Sequence, residues 1–267
     1  MSKRAVTTVK RCANRLLHAA SNFPVVYPLC KRIVDLHNNE NNGDPAINGE
    51  LCFLRERLLG ASVAFDIGAN VGDWTALALE TNSGLRIHCF EPCRKTFLAL
   101  SAREFPGGVV RNQFALGDEP GTAVLHVTGE VEQGGGGCNS LHFRKDLVNS
   151  GYRTETVRVE TFDLYCKEAG IGVVDLVKID TEGNELRVLM GMREALREGR
   201  VGAVQFEYGG TYVDARIWLR DIWEFVEGLG SGYRIYKLYP DGPRRISEYK
   251  SALENFQYAN YALLREI

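Results

Sequence analysis

The stretch Val63-Ala64-Phe65-Asp66-Ile67-Gly68-Ala69-Asn70-Val71-Gly72 limits what this chain can fold into more than any other. A short apolar run enters a turn of small residues, and Asp73 to Glu80 follows with helical character. That succession reads as a buried strand, a tight loop and a helix start. The first backbone N–H groups of a helix have no partner within it, and a loop of little side-chain bulk lets a ligand reach them. The stretch therefore predicts an α/β core with a nucleotide-like ligand at a strand end.

The rest of the chain agrees with that core. From residue 63 onward, extended and helical patterns alternate, the signature of a mostly parallel sheet with helices on both faces. Strands are expected at 63–67, 85–91, 109–116, 173–180 and 203–207, and helices at about 73–81, 93–104, 183–197 and 214–228. Two final strands, Tyr233–Tyr239 and Asn260–Arg265, close the pattern, with Thr122–Thr128 as a side ribbon. Residues 1–60 read instead as a helical extension, with Val6, Val9, Ala13, Leu16 and Leu17 at helical spacing among basic residues. Pro24 and Pro28 break that pattern, and the polar run 38–45 reads as a loop. The domains are accordingly 1–60 and 61–267.

Composition narrows the function classes. The net charge of −2 over 267 residues gives no general electrostatic case for nucleic acid or an anionic membrane. No apolar run approaches the ~18 residues needed to span a bilayer. The short basic start lacks the apolar core of a secretory signal, so a cytoplasmic protein is expected. Seven cysteines are an odd number without paired C-x-x-C spacing, and the five histidines add no ligand pattern. Free, mostly buried thiols follow, and no resident metal. Self-association stays open.

Acidic residues stand at or just beyond five expected strand ends: Asp66, Glu91, Asp118, Asp180 and Glu207. A buried carboxylate needs partners, so this placement points to a ligand. Each acid has work to do if the ligand is an adenosine bearing a cationic sulfonium. Gly68, Asn70 and Gly72 let the backbone close on its amino-acid part. Glu91 accepts both ribose hydroxyls. Asp118 accepts the adenine amino group, and Asp66 organises the loop or faces the amine. Dinucleotide-binding folds share the acid after strand two, so that spacing does not by itself choose the ligand.

Several blocks together resemble the FkbM family of S-adenosylmethionine-dependent methyltransferases. They are Phe65–Gly72, Phe90-Glu91-Pro92, Ala115-Leu116-Gly117-Asp118, Asn139-Ser140-Leu141 and Lys178-Ile179-Asp180-Thr181-Glu182-Gly183-Asn184-Glu185. The resemblance covers about residues 60–210. It implies a class I methyltransferase fold, Rossmann-like, with a seven-stranded sheet whose last strand is antiparallel. It also implies O-methylation of a sugar or polyketide-like hydroxyl on a small molecule or glycan. The cofactor-binding set it suggests is Asp66, Gly68, Asn70, Gly72, Trp74, Glu91, Pro92, Ala115, Asp118, Ser140 and Asp180.

A hydroxyl attacking a sulfonium methyl needs alignment and a base. Asp180 is the leading catalytic candidate, with Glu182 and Glu207 behind it and Glu185 as either a further base or a first-turn acid. Asp180 could instead position ligand or bond to loop amides, and two carboxylates could share a divalent metal. Tyr208, Tyr212 and Trp218 are candidates for an acceptor cleft, and Gly134–Gly137 for a lid. Two readings compete with methyl transfer. A nicotinamide-dependent oxidoreductase would share the fold, but Asn70 stands where a glycine would admit a pyrophosphate. A non-catalytic cofactor-binding module would keep the loops and lack turnover.

Overall fold

A computed structural model describes residues 10, 14–15, 17–19, 21–128, 139–143 and 152–266. The Gly134–Gly137 tract, with Val6, Val9, Ala13 and Leu16, lies outside the described residues. The chain divides into two compact units, Met1–Asn42 and Gly43–Ile267.

In the first unit, helix α1 spans Val26–Asn38. Pro28, expected to interrupt helix here, sits in its first turn, where a missing N–H costs no intrahelical bond. The helix ends where Asn39 turns left-handed, at φ 52°.

The second unit begins with helix α2, Glu50–Arg57. This helix was expected in an extension reaching residue 60, yet Phe53, Leu54 and Leu58 are fully buried in the core of this unit. The main sheet contains β1 (Val63–Ile67), β2 (Arg86–Phe90), β3 (Val109–Asn112), β7 (Val174–Ile179), β8 (Val201–Tyr208), β9 (Tyr233–Tyr239), β10 (Gly242–Arg245) and β11 (Ala259–Arg265). Their order is β10-β9-β11-β8-β7-β1-β2-β3. The pairs among β3, β2, β1, β7 and β8 are parallel, and β11 runs antiparallel to both β8 and β9. That is the expected architecture with an antiparallel last strand, plus one strand more. The eighth is β10, which folds back on β9 because Gly242, at φ 124°, supports the tight turn after Tyr239.

Period-two alternation sends successive β1 side chains to opposite faces. Phe65 and Ile67 join one core with helices α5 (Phe162–Glu168), α6 (Glu185–Gly191), α7 (Arg193–Arg197) and α9 (Leu219–Leu229). Ala64 joins the other with α2, α3 (Asp73–Thr81) and α4 (Arg94–Ala102). Fully burying a large apolar side chain contributes about 1.5–3 kcal/mol, so these two layers hold the sheet edge rigid beneath its loops.

Three expected elements are divided. The strand predicted over 109–116 leaves the main sheet after Asn112. β4 (Ala115–Leu116) then joins a three-stranded sheet with β6 (Tyr152–Glu160) and β5 (Gly121–Thr128). Between them Phe114 packs edge-on against Phe90 and beside Tyr165, which pulls the chain out of register. The helix expected over 183–197 breaks at Met192 into α6 and α7. Gly191 lies against Gly117 there, and a Cβ would come 1.9 Å from its carbonyl oxygen. The helix expected over 214–228 divides into α8 (Thr211–Ala215) and α9, because Arg216 is left-handed at φ 57°.

Candidate functional site

Crossovers from β1 run one way through β2 and β3, and those from β7 run the other way to β8. Ligands sit at the carboxyl edge near such a reversal. A cavity of about 290 Å³ lies there, walled by the loops after β1, β2, β4 and β7 and by Asn139 and Leu141.

The loop after β1 turns because Gly68 and Ala69 both donate their N–H groups to the Phe90 carbonyl at 3.0 Å. Gly68 has φ 81°, and a Cβ would lie 1.8 Å from the Asp180 carbonyl oxygen, so no other residue fits. Asn70 is left-handed at φ 50° and lines the cavity. Gly72 is not in the cavity wall. A Cβ there would strike Leu100 and Phe105, so this glycine lets α4 approach the loop. Asp66 is fully buried beneath the loop. It accepts from the Thr75 hydroxyl at 2.7 Å and lies 4.0 Å from the Lys178 ammonium. Burial pushes its carboxyl up, and Lys178 and Thr75 oppose that. Of the two roles expected of it, Asp66 has the structural one.

Glu91 lines the cavity and is 5% exposed. Its oxygens accept from the N–H groups of Cys93 at 2.9 Å and Asn70 at 3.0 Å. A carboxylate offers about four acceptor positions, so two remain for a diol. Burial pushes its pKa up to about 7, against the pull of those two amides. Pro92 and Ala115 complete this wall. Asp118 does not reach it, because both its oxygens accept from Arg187 at 3.2 Å. Ser140 is also outside the wall. It donates to the Glu182 carbonyl at 2.7 Å and so pins Asn139 and Leu141 in place.

After β7 the chain brings Asp180 and Glu182 to the cavity. Lys178 reaches Asp180 at 3.0 Å. Burial works against this ammonium, but the carboxylates of Asp180, Asp66 and Glu50 outweigh it and keep it charged. Glu185 does not face the cavity. It accepts from Thr181 and Gly183 amides and the Thr181 hydroxyl, and so holds its own loop.

A second cleft, of about 530 Å³, adjoins the first. The two share Asp73, Trp74, Lys178 and Asp180 in their walls. Glu50, Glu207, Tyr258 and Asn260 line its far side. Burial raises the Glu207 carboxyl well above the usual range, and the Asp180 and Glu182 carboxylates add to the effect, as does a hydrogen bond with Asp180. That direction favours the neutral form of Glu207 beside Asp180. Tyr208 and Tyr212 do not line this cleft. Both are core residues, 0% and 1% exposed. Trp218 is outside it too, packed against Phe256. Local sequence marks none of Glu50, Tyr258 and Asn260, each a lone side chain outside any motif, while Lys178 opens the Lys178–Glu185 block without a site signal of its own.

Among the described residues, no group of three or more His, Cys, Asp or Glu is arranged to hold a metal ion. Among the same described residues, no helix is long and apolar enough to cross a membrane. Cys30, Cys52, Cys89, Cys93 and Cys166 are free thiols, with Cys30 and Cys52 exposed rather than buried.

The profile of the methyltransferase FkbM domain matches residues 66–234. The chain belongs to the FkbM methyltransferase family. Within it, the 31-O-demethyl-FK506 methyltransferase FkbM of Streptomyces tacrolimicus is 32% identical over 170 residues, covering 54% of this chain and 65% of that protein. The chain thus spans less than two-thirds of that relative. A methyltransferase FkbM from Methylobacillus flagellatus KT is a structural neighbour, with TM-score 0.46 and 17% identity over 76% of this chain and 43% of that one. An S-adenosylmethionine-dependent O-methyltransferase from Thermotoga maritima has TM-score 0.41 and 11% identity, over 82% and 65% of the two chains.

The family to which the chain belongs is one of methyltransferases, which speaks against the nicotinamide reading. Its cofactor is S-adenosylmethionine. The cavity fits that group. Gly68 lets the loop turn closely against the Asp180 carbonyl, and Glu91 has two acceptor positions to spare. Asn70 Oδ1, Trp74 Nε1 and Asn184 Oδ1 are buried polar atoms of the wall without hydrogen-bond partners. Groups so buried need partners, and a nucleoside carrying an amino acid has matching donors and acceptors.

Proposed function

We propose that this protein transfers a methyl group from S-adenosylmethionine to a hydroxyl of a small molecule or glycan, with Asp180 as general base. The observation that carries this reading is the position of Asp180 in the shared wall of both cavities. A base must lie within reach of the acceptor proton and beside the bound donor, and only a shared wall serves both.

Bound S-adenosylmethionine supplies an electrophilic methyl on a sulfonium. Glu91 holds the ribose, and the Gly68–Val71 loop and Trp74 hold the amino-acid part. Lys178 orients Asp180 through its ion pair. The Glu207 carboxyl donates a hydrogen bond to Asp180, which stays ionised, and so turns one Asp180 oxygen toward the cleft. Glu207 is then a positioning residue, and Glu182 shapes the loop through its left-handed backbone at φ 56°. The name of the 31-O-demethyl-FK506 relative supports oxygen as the atom methylated. We read the acceptor as neither nucleic acid nor lipid bilayer, on the balance of charge, and the protein as cytoplasmic, because its unpaired cysteines suit a reducing compartment.

Incubation with isotope-labelled S-adenosylmethionine and a panel of hydroxylated small molecules and glycans tests the reading. The expected result is a labelled product whose methyl NMR signal identifies an ether. Methylation on nitrogen or carbon overturns the oxygen assignment. Cofactor binding without transfer to any member of the panel favours a non-catalytic module.

A further inference from the structure

Part of the cofactor cavity's wall is apolar, formed by Pro92, Leu116, Leu125 and Leu141. Glu91, which takes the ribose, stands beside it at the end of β2. A flat base attached to that ribose therefore packs against these apolar side chains, the first of which, Pro92, follows Glu91 directly in the chain. One nearly buried amide reaches the same wall. Asn184 is 2% exposed and lines the cavity.

Asn184 stands at the N-cap of α6, where asparagine usually accepts from a first-turn N–H. Its side chain makes no such bond. Instead its Nδ2 donates to the Leu116 carbonyl at 3.1 Å. That bond fixes the orientation of the amide, because only the nitrogen end can donate to a carbonyl. Oδ1 is left as a buried acceptor with nothing to accept. Such an atom is costly to keep unless a ligand satisfies it. Asp118, the adenine acceptor suggested by position after strand three, is outside the wall and engaged by Arg187.

We propose that Asn184 Oδ1, and not Asp118, accepts the adenine amino group of S-adenosylmethionine, so that Asn184 selects a 6-amino purine over a 6-oxo purine. This rests on the cofactor assignment above. An amino group donates to Oδ1, whereas a 6-oxo group would set acceptor against acceptor. The Leu116 bond holds the amide so that it cannot rotate to accommodate the oxo form.

Isothermal titration of the full chain with S-adenosylhomocysteine and its 6-oxo analogue, S-inosylhomocysteine, tests the proposal. Wild type is expected to prefer the adenosyl ligand by on the order of 10-fold or more. Asn184→Ala is expected to reduce that preference to within about 3-fold, while Asp118→Ala keeps it. Equal affinity of wild type for the two ligands overturns the proposal, as does a preference lost in Asp118→Ala. These two outcomes need no Asn184 variant, so they decide the matter even if Asn184→Ala fails to fold. Failure of wild type to bind either ligand overturns the cofactor assignment as well, and so is distinguishable.

Discussion

The two adjoining cavities are built in different ways. The cofactor cavity is walled by short contiguous blocks at strand ends: Ile67–Val71, Phe90–Pro92, Ala115-Leu116 and Asp180–Glu182. The cleft beside it combines a stretch of α3, from Asp73 to Glu80, with single side chains from distant places, among them Glu50 on α2, Glu207 on β8 and Tyr258 and Asn260 at β11. Glu50, Tyr258 and Asn260 also lie outside the family match of 66–234. A ligand held largely by backbone requires particular residues in a row, whereas a ligand met by side chains needs only that the fold bring them together. We read the first region as the half that holds the methyl donor and the second as the half that meets the acceptor.

That contrast can be broken most sharply at Asp180, the residue both regions share. Asp180→Asn is expected to lower kcat by about 10²–10⁴-fold, the usual contribution of a general base. Titration with S-adenosylhomocysteine should find its Kd within about 3-fold of wild type, since the carboxylate serves the acceptor side. A Kd that rises as much as kcat falls would return Asp180 to cofactor binding.

Gly68→Ala probes the backbone-built half. A Cβ at 1.8 Å from the Asp180 carbonyl oxygen, on a residue at φ 81°, forces the loop to shift. S-adenosylhomocysteine affinity should fall about 100-fold or more, consistent with ~1–3 kcal/mol of backbone strain plus the clash. Normal affinity would show that the loop has slack.

A pH titration of binding sharpens the same half. Burial raises the Glu91 pKa to about 7 in the free protein. Its ionised form is the better acceptor for ribose hydroxyls, so affinity should rise with pH by up to about tenfold per unit below that pKa and level off above it. Glu91→Gln should flatten the profile. The sign for stability is opposite. A carboxyl whose folded pKa is raised stabilises the fold at pH below its unfolded value, and that contribution is lost as pH rises through about 7. Glu91→Gln should therefore lessen the fall in Tm across that interval.

The smallest effect is expected on the side-chain-built half. Glu50→Gln should raise the acceptor KM by about 3–10-fold, the loss of one charged hydrogen-bond partner, with cofactor Kd unchanged. A change in cofactor Kd instead would mean that the two cavities do not divide the work as their walls suggest.

The candidate site was legible to the extent that its residues sit in local patterns. Gly68 and Asn70 follow from a strand running into a tight turn, and Glu91-Pro92 from the end of the next strand. Asp180 follows from the acid after β7. Where local pattern misled, another group of the protein had captured the side chain, distant in sequence for Asp118 and Ser140 and local for Glu185. Asp118 is engaged by Arg187, Ser140 by the Glu182 carbonyl, and Glu185 by the amides of its own loop. Tyr208 and Tyr212, which look like cleft aromatics, went to the core because β8 and the turn after it face α6 and β11.

The sequence by itself determined the alternation of strands and helices, the loop that starts at Asp66 and the acids at strand ends. These depend on periodicity and on backbone conformations that few residues adopt. Only the tertiary structure decided which acid faces which cavity, that an eighth strand closes the sheet edge, and that Lys178, Glu50 and Asn184 belong to the site. Those outcomes are set by pairings across the sheet between residues far apart in the chain, and a local pattern holds no record of the partner.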